Sequence, residues 1–155
     1  TLTVPSITTI NMEIAIIADD KKKELMAEFC IAYCGILTKH NICATSKTAK
    51  YISDATGMKI ESLLLGSYGG AEQIASRVAY NEIDLLIFFR DTAKEGYRTT
   101  DDIEMLRMCD VYNIPVATNI ATAEVLVRAL ERGDLDWREL VNPRSLRNQR
   151  RNYKR

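Results

Sequence analysis

The sequence has little of what builds metal centres or disulfide frameworks. It holds one histidine, His40, and four cysteines, Cys30, Cys34, Cys43 and Cys109, with no C-x-x-C pair. Cys30 and Cys34 stand four apart on a predicted helix and point the same way, but no histidine cluster accompanies them. Buried free thiols in a reducing cytosol are the expectation, with no metal. No apolar run approaches the ~20 residues a bilayer-spanning helix requires, and the first residues lack a signal peptide's basic start and long apolar middle. The chain is therefore expected in the cytoplasm, with no membrane partner. Net charge is absent too, since 21 basic residues balance 21 acidic ones. The balance is uneven: residues 144–155 carry six cations and no acid, so the body of the chain is mildly acidic. There is no internal repeat.

At 155 residues, 46% of them apolar, the chain is long enough for one domain with a sizeable core. Its organising stretch is Ile83–Asp91, Ile-Asp-Leu-Leu-Ile-Phe-Phe-Arg-Asp, whose apolar residues show no alternation. That pattern belongs to a strand covered on both faces, in the middle of a parallel sheet. Further strands are predicted at Glu13–Ala18, Ile42–Ala44, about Glu61–Leu65 and Ile114–Thr118. Helices are predicted over Lys21–His40, up to about Ala55, over Ala71–Asn81, from Asp101, and over Ala121–Glu131, with one further turn near Asp134–Leu140. Alternating strands and helices predict a single doubly wound α/β domain with a five-stranded, mostly parallel sheet. Residues 1–11 read as a leader or loose arm before a start at Met12, residues 12–143 as the domain, and residues 144–155 as a basic tail with too few apolar residues to pack.

Each candidate functional stretch follows a strand, so all of them are expected on one rim, where open α/β sheets bind ligands. Thr45-Ser46-Lys47-Thr48 offers hydroxyls, a cation and helix-start amides to an anion, with Lys23 nearby. Gly66-Ser67-Tyr68-Gly69-Gly70 allows close backbone approach. Asp19, Asp20, Asp91 and Asp101 supply carboxylates for proton transfer, although Asp20 and Asp101 are also placed to cap helices. His40 is expected to cap a helix carboxyl end. A small phosphorylated metabolite is the natural ligand for such a rim.

At these loops the chain resembles the methylglyoxal synthase family, over about residues 12–143. The matching pieces are Ile-Ala-Ile-Ile-Ala-Asp-Asp-Lys-Lys-Lys-Glu-Leu-Met (14–26), Ala-Thr-Ser-Lys-Thr-Ala-Lys (44–50), Gly-Ser-Tyr-Gly-Gly-Ala (66–71), Asp-Leu-Leu-Ile-Phe-Phe-Arg-Asp (84–91), Asn-Ile-Pro-Val-Ala-Thr-Asn-Ile-Ala-Thr-Ala-Glu (113–124) and Gly-Asp-Leu-Asp-Trp-Arg-Glu-Leu-Val-Asn-Pro (133–143). The resemblance implies a flavodoxin-like fold, a homohexamer, and conversion of dihydroxyacetone phosphate to methylglyoxal and phosphate without metal or organic cofactor. It also implies kinship with the regulatory module of carbamoyl-phosphate synthetase, which binds effectors and catalyses nothing.

Carried over residue by residue, the family pattern is met at Asp20, Lys23, Thr45, Thr48, Gly66, Asp91 and Asp101. It is broken at Asp19 and Arg98, where the family has histidines, at Ser46-Lys47-Thr48-Ala49 in place of Gly-Thr-Thr-Gly, and at Leu65 in place of serine. The family's catalytic aspartate falls on Ala71, whose methyl group accepts no proton. Loss of a general base typically costs ~10²–10⁴-fold in rate. Lys47 and Arg98 add positive charge that would suit a ligand with more phosphate, such as a nucleotide. Three readings result: a synthase in which Asp19, Asp20 or Asp91 moves the proton, a catalytically silent module binding a phosphorylated ligand or nucleotide, and a scaffolding oligomer whose basic tail touches nucleic acid. The tail supports the last only weakly, because its cations are not interleaved with aromatics beyond Tyr153.

Overall fold

The computed structural model describes residues 10–63, 70–93 and 100–153. Five strands, β1 (Glu13–Ala18), β2 (Asn41–Thr45), β3 (Glu61–Leu63), β4 (Leu85–Phe89) and β5 (Val116–Ala117), form one sheet in the order β3-β2-β1-β4-β5. Every pairing is parallel, with Ile14 opposite both Ile42 and Leu85. The expected doubly wound, flavodoxin-like class is what forms.

Strand periodicity of two explains the two cores. Ile14, Ile16 and Ala18 of β1, with Leu85, Ile87 and Phe89 of β4, face one layer. That layer is filled by Met26 and Phe29 of α1 (Lys23–Ala32), Ile52 of α3 (Ser46–Thr56) and Val127 of α6 (Ile120–Arg132). Ala15, Ile17, Leu86 and Phe88 point the other way, onto Ile74 and Val78 of α4 (Gly70–Ala79) and Met105 and Cys109 of α5 (Thr100–Tyr112). Both faces being covered, β4 carries no exposed position and reads as an unbroken apolar run.

The structure corrects several expectations. The helix predicted over Lys21–His40 is three pieces: a 3-10 turn at Asp20–Lys22, then α1, then α2 (Cys34–Leu37), with the break at Tyr33, whose φ of −111° and ψ of 19° leave the helical region. Its ring lies 5.1 Å from Phe29, so packing holds the break where no proline stands. The His40 side chain makes no bond to a helix end; only its backbone N–H reaches the Leu37 carbonyl, at 3.0 Å. Its Nδ1 accepts a hydrogen bond from the Met12 N–H at 3.0 Å, and burial pushes its pKa below the ordinary histidine value. The further turn expected near Asp134–Leu140 contains α7 (Arg138–Val141), and residues 146–153 of the basic tail, expected not to pack, form α8 (Leu146–Tyr153). Few apolar residues are needed there, because Asn148 Nδ2 donates to the Asn142 carbonyl at 2.6 Å and Ser145 Oγ to the Glu139 carbonyl at 2.8 Å.

All four cysteines are free thiols, and burial pushes Cys30 and Cys109 up to about 12 and Cys43 up to about 11. Among the described residues no histidine, cysteine and carboxylate cluster is arranged to hold a metal, and no helix is long and apolar enough to cross a membrane.

Candidate functional site

Because all five strands run the same way, their carboxyl ends lie along one rim. The chain steps from β1 to β2 and β3 on one side and crosses to β4 and β5 on the other, so a crevice opens where β1 meets β4. Asp19 closes the base of that crevice. Its backbone N–H donates to the Phe89 carbonyl at 3.1 Å, and its Oδ2 accepts from the Asp91 N–H at 2.8 Å. One carboxylate thus ties together the exits of two strands that are 72 residues apart in sequence.

Asp91 is held next to it, only 8% exposed. Its Oδ1 accepts from the Ala93 N–H at 3.1 Å, an Asx turn that fixes the side chain. Among the described residues Oδ2 accepts no hydrogen bond, so a fixed carboxylate keeps one oxygen open. Asp20 is exposed and forms an ion pair with Lys23, whose side chain is mostly buried. It does not cap α1, whose N-cap is Lys22 without a side-chain bond.

The other half of the rim is the start of α3. Thr45 precedes the helix in extended conformation (φ −61°, ψ 151°), and its Oγ1 donates to Thr48 Oγ1 at 3.2 Å, both residues buried. Thr48 keeps its own hydroxyl proton, and the first amides of α3 lack intrahelical acceptors. Ser46 Oγ is buried without a hydrogen-bond partner among the described residues, and so is Arg90 Nε, whose guanidinium lies 5.8 Å from the Phe88 ring centre. Lys47 is exposed. With Asp20, Lys23, Lys50, Tyr51 and Asp54 it lines a shallow depression of about 280 Å³ between α1 and α3.

The rim therefore brings together Asp19, Asp20, Lys23, Thr45, Ser46, Lys47, Thr48 and Asp91. Asp101 is in the first turn of α5, and its side chain is outside the described residues, as are Gly66 and Arg98 altogether. Ala71 is the second residue of α4 and is exposed. The bracing role of Asp19 escapes sequence reasoning, since it depends on a partner 72 residues away. Lys50 and Tyr51 were within reach of it: positions 47, 50, 51 and 54 share one helix face.

The rim also shows how local sequence fixes geometry at β5. Asn119 stands in extended conformation before α6, and its Oδ1 accepts from the Thr122 N–H at 3.0 Å. Asn119→Ala is expected to lower stability by about 1 kcal/mol, read as a reduced urea midpoint with unchanged slope.

Known proteins share these features. A model of the MGS-like domain matches residues 26–118. The methylglyoxal synthase of Caldicellulosiruptor saccharolyticus is 54% identical over 137 residues, covering 88% of this chain and 97% of that protein. The methylglyoxal synthase of Thermoanaerobacter sp. strain X514 is 50% identical over 129 residues, covering 83% and 98%. The crystal structure of methylglyoxal synthase from Elizabethkingia anophelis NUHP1 superposes with a TM-score of 0.67 at 32% identity, over 76% of this chain and 77% of the other. With half its residues shared across nearly the full length of two such enzymes, and the same fold in a third, the chain belongs to the methylglyoxal synthase family.

Proposed function

We propose that this chain is a methylglyoxal-synthase-like protein whose rim binds a small phosphorylated carbonyl compound, dihydroxyacetone phosphate or a close analogue, and converts it slowly to methylglyoxal and phosphate. The observation that carries this reading is Asp91, a buried carboxylate locked at the β1–β4 crevice with one oxygen left over. In the reaction a carboxylate takes a proton from the carbon beside the carbonyl, giving an enediolate. The enediolate's electrons then expel phosphate as its C–O bond breaks, and the enol product becomes methylglyoxal. Asp91 is the base in this scheme, with Asp20 beside Lys23 as its alternate. Lys23, Ser46, Lys47, the Thr48 hydroxyl and the α3 amides hold the phosphate, and Gly66, Arg98 and Asp101 join them by family resemblance. No metal or organic cofactor takes part. Assembly as a cytoplasmic homohexamer goes with the same proposal.

The rate is low in this reading because residue 71 offers a methyl group where the family resemblance expects the base. Incubation with dihydroxyacetone phosphate, following methylglyoxal and phosphate together, is expected to show turnover that Asp91→Asn lowers by ~10²-fold or more. Turnover untouched by Asp91→Asn would remove Asp91 from the role and leave Asp20. Ala71 also favours a second reading, a silent module that binds a phosphorylated metabolite or nucleotide. In that case turnover is absent while phosphate still raises the melting temperature through binding to the folded state.

A further inference from the structure

One cavity among the described residues is at the opposite end of the sheet from the rim. About 500 Å³ in volume, it is bounded by Glu13, Asn41 and Glu61, the first residues of β1, β2 and β3, and by His40, Lys59 and Arg144. That volume is within the ordinary range for small-molecule sites. Both carboxylates in its wall are already engaged. Glu13 accepts from Asn41 Nδ2 at 2.9 Å, and Glu61 takes a bidentate pair from Arg77 at 2.7 and 3.0 Å. The two cations are held more loosely: neither Lys59 nor Arg144 makes a side-chain hydrogen bond or close ion pair among the described residues, and Arg144 acts on Glu13 and Glu61 only through its field.

His40 adds a directed donor. Its Nδ1 is fixed as an acceptor by the Met12 N–H, so the neutral ring carries its proton on Nε2. A cavity with two cations free of hydrogen bonds, an imidazole N–H and carboxylates hydrogen-bonded to other partners can take negative charge. We propose that this cavity is a second ligand site, taking a small organic anion with a phosphate or carboxylate group held by Lys59, Arg144 and the His40 Nε2–H. It shares no residue with the rim, so it stands or falls separately from the catalytic reading.

Titration of the uniformly ¹⁵N-labelled full chain with inorganic phosphate and, separately, with citrate, at constant ionic strength, tests it. The amides of Glu13, Asn41, Ile42 and Lys59 are expected to shift along a saturable curve. In Lys59→Gln/Arg144→Gln that curve is expected to weaken by about tenfold for each charge removed, while shifts at Thr45–Thr48 persist. Neither substitution removes a side-chain bond of the folded protein, so loss of fold does not confuse the result. A response to phosphate or citrate alone identifies which anionic group the site accepts. Shifts confined to the rim, or an amino-end response that the double variant leaves unchanged, would overturn the proposal.

Discussion

Arg138→Met is expected to lower the stability of the fold by about 3–5 kcal/mol, a large share of the 5–15 kcal/mol typical of a domain. Arg138 is fully buried at the amino end of β4. Its Nε donates to Asp84 Oδ1 at 3.2 Å, Nη1 to the Tyr112 carbonyl at 3.1 Å, and Nη2 to Asn81 Oδ1 at 2.6 Å and the Ile83 carbonyl at 2.8 Å. Asp84, itself 2% exposed, also accepts from the Glu13 N–H at 2.8 Å and from Asn142 Nδ2 at 2.9 Å. One guanidinium thus joins α7, the end of α5 and the entry to β4. Burial pulls its pKa below the ordinary arginine value, and the charge of Asp84 opposes that pull. Methionine fills the volume but leaves a buried carboxylate without its cation. Urea unfolding measures the loss. Adding Asp84→Asn to Arg138→Met should recover part of it, since a neutral amide still accepts from Glu13. A loss under ~1 kcal/mol for the single variant would mean that water replaces the guanidinium and that the network is not the lock described.

Ala71→Asp is expected to raise turnover of dihydroxyacetone phosphate by ~10²–10⁴-fold, the usual worth of a placed general base. The substitution is structurally inexpensive. Residue 71 is exposed in the first turn of α4, where a carboxylate gains ~0.3–1 kcal/mol from the helix dipole. It is also a cleaner change than one that restores histidine at Asp19, because Asp19 braces the Asp91 backbone and its removal would loosen the crevice. A gain in kcat without a change in phosphate binding would mean that the rest of the rim still positions substrate for elimination. No gain, in a variant that folds and binds phosphate as before, would decide for the silent module.

Much of this architecture is legible in the sequence, and the reasons are physical. β4 and β1 are apolar on both faces and so betray a covered parallel sheet without any partner in view. The positions at strand ends follow from that, which is why Thr45, Thr48, Asp19 and Asp91 fall on one rim. What the sequence hides is side-chain bonding across distance. Asp19 reads as a carboxylate for proton transfer, and its bracing of the Asp91 N–H stays hidden because that partner comes 72 residues later. Arg138 falls in the turn expected near Asp134–Leu140, where nothing in the sequence marks it as the most deeply buried charge among the described residues. α8 is missed for the opposite reason: its attachments are amide and hydroxyl bonds to carbonyls, which leave no apolar period to read.

The strand order has a consequence for how the protein is made. β1 lies in the middle of the sheet, yet of these five strands it is the first to leave the ribosome, and its β4 neighbour follows only after β2, β3 and α4 have emerged. At ~5–20 residues per second, the roughly seventy residues from the end of β1 to the end of β4 leave that edge of Glu13–Ala18 unpaired for on the order of 4–14 s. During that interval the nascent chain carries an open, apolar strand edge that a neighbouring chain could pair with. Yield from a crowded polysome should therefore depend on how quickly residues 85–89 are delivered.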